Sequence, residues 1–299
     1  MGMTDNTKML IKAISENNLP AARKCAIACL SEDTTAKNKN FVNRYKPILE
    51  NSASVIELPS NLKYKLIALD LQDSFREDRY YLSKNAKEVY DEIFLKRKVS
   101  EKMESLGIRY LNSTLLYGLS GTGKTTFAKY VAYKFQLPYI YLNYSQIIDS
   151  YMGKTSSTLN LAFNYVRANP CVFVIDEIDA IAIRRTSSTD SGSDGEMNRI
   201  TITLMQELDN LPNHVILIAA TNRRDRIDEA LLRRFTLKKE LTIPSDTEKA
   251  EMIAQYMSTV PFDLPLSSVK AITAAASTQN DVVDKINIEL AKLIEASMI

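Results

Sequence analysis

Residues 114–135 read TLLYGLSGTGKTTFAKYVAYKF, and this stretch decides the fold. It begins with a short apolar run at 114–117 and continues after Thr126 with apolar residues at helical spacing. Between them, Gly118 to Thr125 carries glycine, lysine and threonine at every fixed position of the pattern G-x-x-x-x-G-K-[ST]. The stretch therefore predicts a strand, a phosphate-binding loop and a helix, in that order.

Each residue type in this loop has a chemical reason to be there. Glycines allow successive backbone N–H groups to curl around a phosphate, and the following helix presents the positive end of its dipole. Lys124 would reach the outer phosphates of a nucleotide, and the Thr125 hydroxyl would bind Mg²⁺. A glycine-rich turn that matches by chance is the alternative, but the order of strand, loop and helix argues against it. The candidate nucleotide-binding residues are Gly118, Ser120, Gly121, Thr122, Gly123, Lys124, Thr125 and Thr126.

Beyond Leu111, short β-rich runs alternate with helical patterns, which is typical of a parallel sheet with crossover helices. This predicts an α/β fold. The predicted strands are 114–117, 139–143, 171–175, 215–220 and 239–243. The predicted divisions of the chain are a small helical N-terminal segment at 1–52, a connector at 53–84, an α/β subdomain at 85–244 and a C-terminal helical lid at 245–299.

Composition excludes several classes of protein. The 299 residues carry 38 basic and 36 acidic side chains, so a net charge of +2 gives no global field that would hold a polyanion. The longest apolar runs are far shorter than the roughly 20 residues that a membrane-spanning helix needs. Three cysteines without metal-ligand spacing fit a reducing compartment, so we expect a cytoplasmic protein. From the apolar runs we expect no membrane partner, and from the net charge nucleic acid is not the default partner.

Two carboxylates, Asp176 and Glu177, directly follow the apolar run at 171–175. Side chains at the carboxyl end of a parallel strand emerge beside the loop that follows the first strand. Asp176 would hold Mg²⁺ through its water shell, and Glu177 would act as general base on the attacking water. An acidic residue after a strand is often only a helix cap, but the pair together with the loop predicts hydrolysis of ATP.

Polar residues downstream complete the candidate catalytic set. Asn222 ends the fourth predicted strand, where an amide could orient the attacking water, although a polar residue there is usually part of a turn. Arg233 and Arg234 stand together at the end of a predicted helix. Arginine supplied to a γ-phosphate by a neighbouring subunit accelerates hydrolysis by orders of magnitude in other proteins with this loop, and we favour that role here.

Together these motifs resemble the AAA family of ATPases, within the AAA+ class, over residues 85–299. The residues that carry the resemblance are GLSGTGKTT at 118–126, CVFVIDEID at 171–179, IAATN at 218–222 and TNRRDRIDEALLRRF at 221–235. The compact ALLRRF is most similar to the katanin and spastin branch. The resemblance implies a five-stranded parallel sheet of order 5-1-4-3-2, a helical lid, ATP and Mg²⁺ as ligands, a hexamer, and trans-acting arginine fingers at Arg233 and Arg234.

The chain departs from the family at three places. Leu119-Ser120 stands where relatives carry two prolines, which should not weaken phosphate binding. The lid segment 277–280 lacks the family's glycine and alanine, so contacts from the lid to the nucleotide are left open. Asp73 to Leu82 occupies the place of the adenine-recognition motif without matching it, which leaves the residues that hold the base unassigned.

Family members that thread polypeptide carry an aromatic, an aliphatic and a glycine on a loop after the second strand. Tyr151, Met152 and Gly153 occupy that place. On residue type alone, packing of Tyr151 and Met152 in the core is favoured. Their position relative to the family's motifs favours a loop that contacts polypeptide instead. The polar segment 186–195 falls where a second pore loop would lie, and it equally fits a solvated insertion.

Two functions are compatible with these residues. The first is an ATP-driven protein-remodelling motor, a homo-oligomer that acts on a protein substrate and recruits it, or an adaptor, through the N-terminal helices. The second is a loader or assembly switch associated with nucleic acid. The near-neutral charge and the residues at 151–153 favour the first. A nucleotide-gated scaffold without hydrolysis is disfavoured because the full catalytic set is present.

Overall fold

The structure is a computed structural model, and it describes residues 3–15, 19–33, 35, 37–51, 54–56, 58–148, 155–181 and 192–298. Its strands are β1 (Ser54–Val55), β2 (Leu66–Asp70), β3 (Asn112–Tyr117), β4 (Tyr139–Leu142), β5 (Val172–Ile175), β6 (Ile216–Thr221) and β7 (Leu237–Glu240). Its helices are α1 (Asp5–Ser15), α2 (Leu19–Glu32), α3 (Lys39–Asn51), α4 (Lys84–Ser105), α5 (Lys124–Phe135), α6 (Ser145–Ile148), α7 (Thr155–Ala168), α8 (Ile178–Ile181), α9 (Gly192–Asp209), α10 (Glu229–Leu232), α11 (Asp246–Met257), α12 (Leu266–Ala275) and α13 (Gln279–Met298). Two short 3-10 turns lie at Glu77–Arg79 and Arg224–Arg226.

All seven strands form one mixed sheet of order β1-β2-β4-β5-β6-β3-β7. The α/β class is confirmed. The prediction of a five-stranded, all-parallel sheet was wrong. Two further strands extend the sheet beyond β4, since β2 pairs antiparallel with β4 and β1 pairs antiparallel with β2. The other five strands are parallel and follow one another as β7-β3-β6-β5-β4, so the family order 5-1-4-3-2 describes only this part of the larger sheet.

The added strands come from the segment 53–84, for which a connector was predicted. In β2, Leu66 and Ala68 are buried while Ile67 between them is exposed, which is the alternation of a strand with one covered face. Residues Leu66 to Leu69 pair with Leu142 to Tyr139 of β4. The short apolar segments at 54–58 and 65–71 were the sequence signal for these strands. Because they are short, they were interpreted as part of a connector.

Two apolar clusters cover the two faces of the sheet. In β3, Leu115 belongs to one cluster and Leu116 to the other, as expected when successive strand residues point to opposite faces. The same alternation separates Phe173 from Val174 in β5. Because both faces are covered, the candidate catalytic side chains can meet solvent only at the ends of the strands.

Helices account for both ends of the described chain. The N-terminal helices α1 to α3 pack on one another, with α1 against α2 and α2 against α3. The C-terminal helices α11 to α13 enclose a separate small core around Met252, Ile272 and Ile286. Ser245 and Glu248 form a capping box that fixes the start of α11. Among the described residues, no helix is long and apolar enough to cross a membrane.

Candidate functional site

The phosphate-binding loop joins β3 to α5. Gly118, Gly121 and Gly123 all have positive φ, and Gly123 is the residue that immediately precedes α5. At Gly118 glycine is required by space as well, since a Cβ would lie 2.3 Å from the backbone oxygen of Leu241. The loop is thereby seated against the chain that leaves β7.

Lys124 begins α5 and is 7% exposed. Its Nζ donates to the carbonyl oxygens of Gly118 at 2.9 Å and Leu119 at 2.7 Å. Burial lowers the pKa of Lys124, and the nearby Asp176 and Asp179 partly oppose that shift. The ammonium is thus held inside the loop, where phosphate oxygens would compete with the two carbonyls for its protons.

Thr125 and Asp176 meet although 51 residues separate them in the chain. The Thr125 Oγ1 donates to Asp176 Oδ2 at 2.5 Å. Mg²⁺ prefers oxygen ligands, usually one or two protein groups supplemented by water and substrate phosphates. A hydroxyl and a carboxylate that converge beside a phosphate-binding loop fit this ion, so these two residues are the candidate magnesium ligands.

Glu177 lies next to them in an unusual backbone conformation. Its φ is +49°, a region that non-glycine residues seldom occupy and that is often found at functional sites. Its backbone N–H donates to Asp176 Oδ1 at 2.9 Å, and its side chain is exposed. The carboxylate therefore faces solvent beside the candidate magnesium ligands, as a base acting on water requires.

Asp179 is a residue of this site that the sequence analysis missed. Its Oδ1 accepts from Thr221 Oγ1 at 2.6 Å, and Thr221 Oγ1 accepts from the backbone N–H of Arg223 at 2.8 Å. These bonds fix the chain on both sides of Asn222, whose side chain is exposed. The third carboxylate in the sequence DEID at 176–179 was the available signal.

The two arginines lie at the other end of β3. Ser113, near the start of that strand, donates through Oγ to the carbonyl oxygen of Arg234 at 2.8 Å. The Arg234 guanidinium donates to Asp209 Oδ2 at 2.8 and 3.2 Å and to the carbonyl oxygen of Ala230 at 2.6 Å. Arg233 is exposed. The structure therefore separates the pair into one tethered and one solvent-facing arginine, and places both away from the loop of their own chain.

The start of α13 lies directly on the phosphate-binding loop. The backbone N–H of Asn280 donates to the carbonyl oxygen of Gly121 at 3.1 Å. A Cβ added to Gly121 would lie 2.6 Å from Thr278 Oγ1, and one added to Gly123 would lie 2.2 Å from Gln279 Oε1. The segment 277–280, which lacks the family's small residues, thus contacts the loop through a threonine and an amide side chain.

A cavity of about 330 Å³ lies between this part of the lid, Thr126 of α5 and the segment 75–81. Gln279 Nε2 donates to the carbonyl oxygen of Tyr81 at 3.1 Å at its edge. Gln255 of α11 donates to the carbonyl oxygens of Asp78 and Tyr80 in the same segment. Aromatic rings and backbone carbonyls beside the loop make this cavity the candidate site for the nucleotide base.

Comparison with known proteins agrees with this geometry. The family model described as ATPase family associated with various cellular activities (AAA) matches residues 114–243. That range contains the loop, the carboxylates, Asn222 and both arginines. Residues 114–243 of this chain are an ATPase domain of the AAA family.

Curated AAA relatives give a finer comparison. A proteasome-activating nucleotidase of Methanococcus maripaludis is 32% identical over 214 residues, which are 68% of this chain and 52% of that protein. The 26S proteasome regulatory subunit 10B homolog A of Arabidopsis thaliana is 36% identical over 199 residues, 66% of this chain and 47% of that protein. The 26S proteasome regulatory subunit 8 homolog of Schizosaccharomyces pombe is 33% identical over 212 residues, 68% of this chain and 53% of that protein.

These relatives correct one prediction. The branch of katanin and spastin was inferred from the compact ALLRRF at 230–235, and it is wrong, because the reported AAA relatives are proteasomal ATPases. A six-residue motif is too short to assign a branch against similarity spread over about 200 residues. The chain spans about half the length of the curated relatives that it matches.

The predicted pore loop cannot be compared in the same way. Tyr151, Met152 and Gly153 lie outside the described residues, as does most of the predicted second pore loop at 186–195. The described chain ends at α6 before the first of these loops and resumes at α7. Their role in this AAA protein stays a prediction.

Proposed function

We propose that this chain hydrolyses ATP with Mg²⁺ at sites shared between neighbouring copies, and that it uses the energy to remodel protein substrates. The observation that carries the proposal is the convergence of Lys124, Thr125, Asp176 and Glu177 at one end of the sheet, closed on one side by the lid. This arrangement combines groups for binding phosphate with a base that faces solvent.

The residues divide the chemistry of hydrolysis among them. Lys124 and the loop amides would hold the phosphates, while Thr125 and Asp176 would hold Mg²⁺. When bound, that ion would neutralise charge on the phosphate oxygens. Glu177 would accept a proton from water as the water attacks the γ-phosphate. Asn222 would orient that water with its amide, since the bonds on either side of it fix its backbone.

Distance favours a shared site. Ser113, which donates to the Arg234 carbonyl oxygen, and Gly118, which follows the end of β3, are five residues apart, or about 17 Å of extended chain. Arg233 is exposed and would act on the nucleotide of the next copy. An interface that joins different surfaces of identical copies forms a ring when its rotation closes, and a closed hexamer of the family type is the assembly we propose.

Protein remodelling is supported by the relatives and by the residues at 151–153. The matching proteins are named as proteasome-activating and proteasome regulatory ATPases. In the proposed ring, Tyr151, Met152 and Gly153 would grip a polypeptide through apolar contact that requires no particular sequence. The N-terminal helices expose the apolar side chains of Ile14 and Phe41, which an adaptor or substrate would contact in this proposal.

The proposal is tested by adding possible substrates to the purified chain with ATP and Mg²⁺. We expect an unfolded polypeptide to stimulate phosphate release by the parent protein. The Tyr151→Ala variant should release phosphate at the same rate with and without the polypeptide. Single-stranded DNA should have no effect. Stimulation by DNA that survives Tyr151→Ala would instead favour the loader or assembly switch.

A further inference from the structure

A tight turn at Pro59–Lys65 connects β1 to β2. The backbone N–H groups of Leu62 and Lys63 donate to the Pro59 carbonyl oxygen, and that of Lys65 donates to the Leu62 carbonyl oxygen. Leu62 is buried in the main core of the sheet, together with Leu58 before the turn and Leu66 after it. The turn is therefore held by backbone bonds and by apolar anchors on both sides.

This turn presents an aromatic ring to solvent in a conformation that costs energy. Tyr64 is 78% exposed and has φ +69°. A bulky residue in the left-handed region is rare, and such strain is usually kept where it has a function. Glycine or asparagine would occupy the position with less strain, so a requirement of folding does not explain a tyrosine here.

The position of the turn points to its partner. Leu66 pairs with Leu142 at the end of β4, and the backbone N–H of Asn143 donates to the Lys65 carbonyl oxygen at 2.9 Å. The turn thus lies at the carboxyl edge of the parallel strands, beside the point where the chain leaves β4. In the sequence, the predicted pore loop at 151–153 begins eight residues after Asn143.

We propose that Tyr64, with Lys63 and Lys65, contacts an extended polypeptide at the mouth of the proposed channel, as a grip additional to the predicted pore loop. This inference rests on the proposed function. The ring supplies apolar contact to varied side chains, and the lysines can bind backbone carbonyls and acidic side chains. Single-stranded nucleic acid would also suit one aromatic and two cations, but it requires a longer basic groove than a chain of net charge +2 indicates.

The test measures binding of a fluorescein-labelled, permanently unfolded polypeptide by anisotropy, with ATP and Mg²⁺, in a Glu177→Gln background that prevents turnover. Tyr64→Asn removes the ring but tolerates the backbone conformation, and Tyr64→Phe keeps the ring. We expect Tyr64→Asn to weaken binding roughly three- to tenfold and Tyr64→Phe to bind as the parent does. Leu95→Asn, which removes an exposed side chain from α4, is the control and should have no effect.

The outcomes separate this inference from the proposed function. If Tyr151→Ala weakens binding and Tyr64→Asn does not, the inference is overturned and the remodelling function stands. If the parent protein binds no polypeptide, both fail. The inference is overturned in favour of nucleic acid if a labelled 30-nucleotide single strand of DNA binds and Tyr64→Asn weakens that binding. It is overturned in favour of a contact between copies if sedimentation shows that Tyr64→Asn prevents assembly.

Discussion

The two ends of β3 differ in how completely they are built. At the carboxyl end, the loop at 118–125 is closed by its own hydrogen bonds, by the lid and by a bond between Thr125 and Asp176. At the amino end, Arg234 is bonded within its own chain while Arg233 projects into solvent. The carboxyl end is therefore a preformed candidate binding site, whereas the amino end presents an exposed arginine side chain.

This difference suggests that the chain carries two halves of different sites. The half that binds phosphate must be rigid before the nucleotide arrives, because its amides and its ammonium have to point at fixed positions. The half that supplies an arginine needs only to be exposed in the correct place. The following variants test whether the halves belong to different copies.

The largest effect is expected for Arg233→Ala. A trans-acting arginine is worth about 10³ to 10⁵ in rate, so phosphate release at saturating ATP should fall at least about 10³-fold. Arg226→Ala, which removes another exposed arginine, is the control. Mixing Arg233→Ala with Glu177→Gln protein should restore activity at about a quarter of the interfaces, since each supplies the half that the other lacks. Two inactive proteins that stay inactive when mixed would contradict the division.

The next effect concerns the carboxyl end alone. Glu177→Gln should lower the hydrolysis rate by about 10² to 10⁴, the usual worth of a general base. Affinity for a fluorescent ATP analogue should stay within about twofold, because Glu177 is not among the candidate ligands of phosphate or Mg²⁺. Glu295→Gln on the surface of α13 is the matched control. Equal loss of binding and turnover would show that Glu177 acts on the ground state.

The rigidity of the loop can be tested through stability. Gly118→Ala should destabilise the fold by about 2–5 kcal/mol, since a Cβ would collide with the backbone of Leu241 at a positive φ. Gly107 also has a positive φ, but a Cβ there meets nothing within 4 Å. Gly107→Ala should therefore cost only about 1 kcal/mol in urea denaturation. Similar losses of unfolding free energy for both variants would mean that backbone strain, rather than the close contact with Leu241, determines the destabilisation.

The smallest effect should come from Asp209→Asn at the amino end. Its pair with Arg234 leaves the two side chains 48% and 28% exposed, so the free energy of unfolding should fall by less than about 1 kcal/mol. Asp263→Asn, at an exposed position away from the arginines, is the comparison for thermal unfolding. A loss several times larger would indicate that Arg234 is a structural residue and leave Arg233 as the sole candidate finger.

Sequence patterns were informative where chemistry fixes the spacing. The pattern at 118–125 predicted a strand, a loop and a helix, and β3, the loop and α5 follow in that order. Thr125 and Asp176 could be predicted to approach each other because the carboxyl ends of parallel strands share one edge. Their roles in binding and catalysis stay predictions.

Other features depend on tertiary contacts that no local pattern carries. β1 and β2 are short, and only pairing with β4 makes them strands. Arg233 and Arg234 are equivalent in sequence, and the position of Asp209 is what distinguishes them. The contact of Thr278 and Gln279 with the loop glycines could not be predicted from the sequence either, since it depends on how the lid packs against the loop.

That seat of the lid has a mechanical consequence. Asn280 lies in the first turn of α13 and is bonded to Gly121, so the phosphate-binding loop grips one end of a 20-residue helix. Such a helix is about 30 Å long, and a rotation of about 10° at the loop would displace its far end by about 5 Å. α13 can therefore act as a lever arm that converts a small change around the phosphate-binding loop into a larger displacement of its own far end.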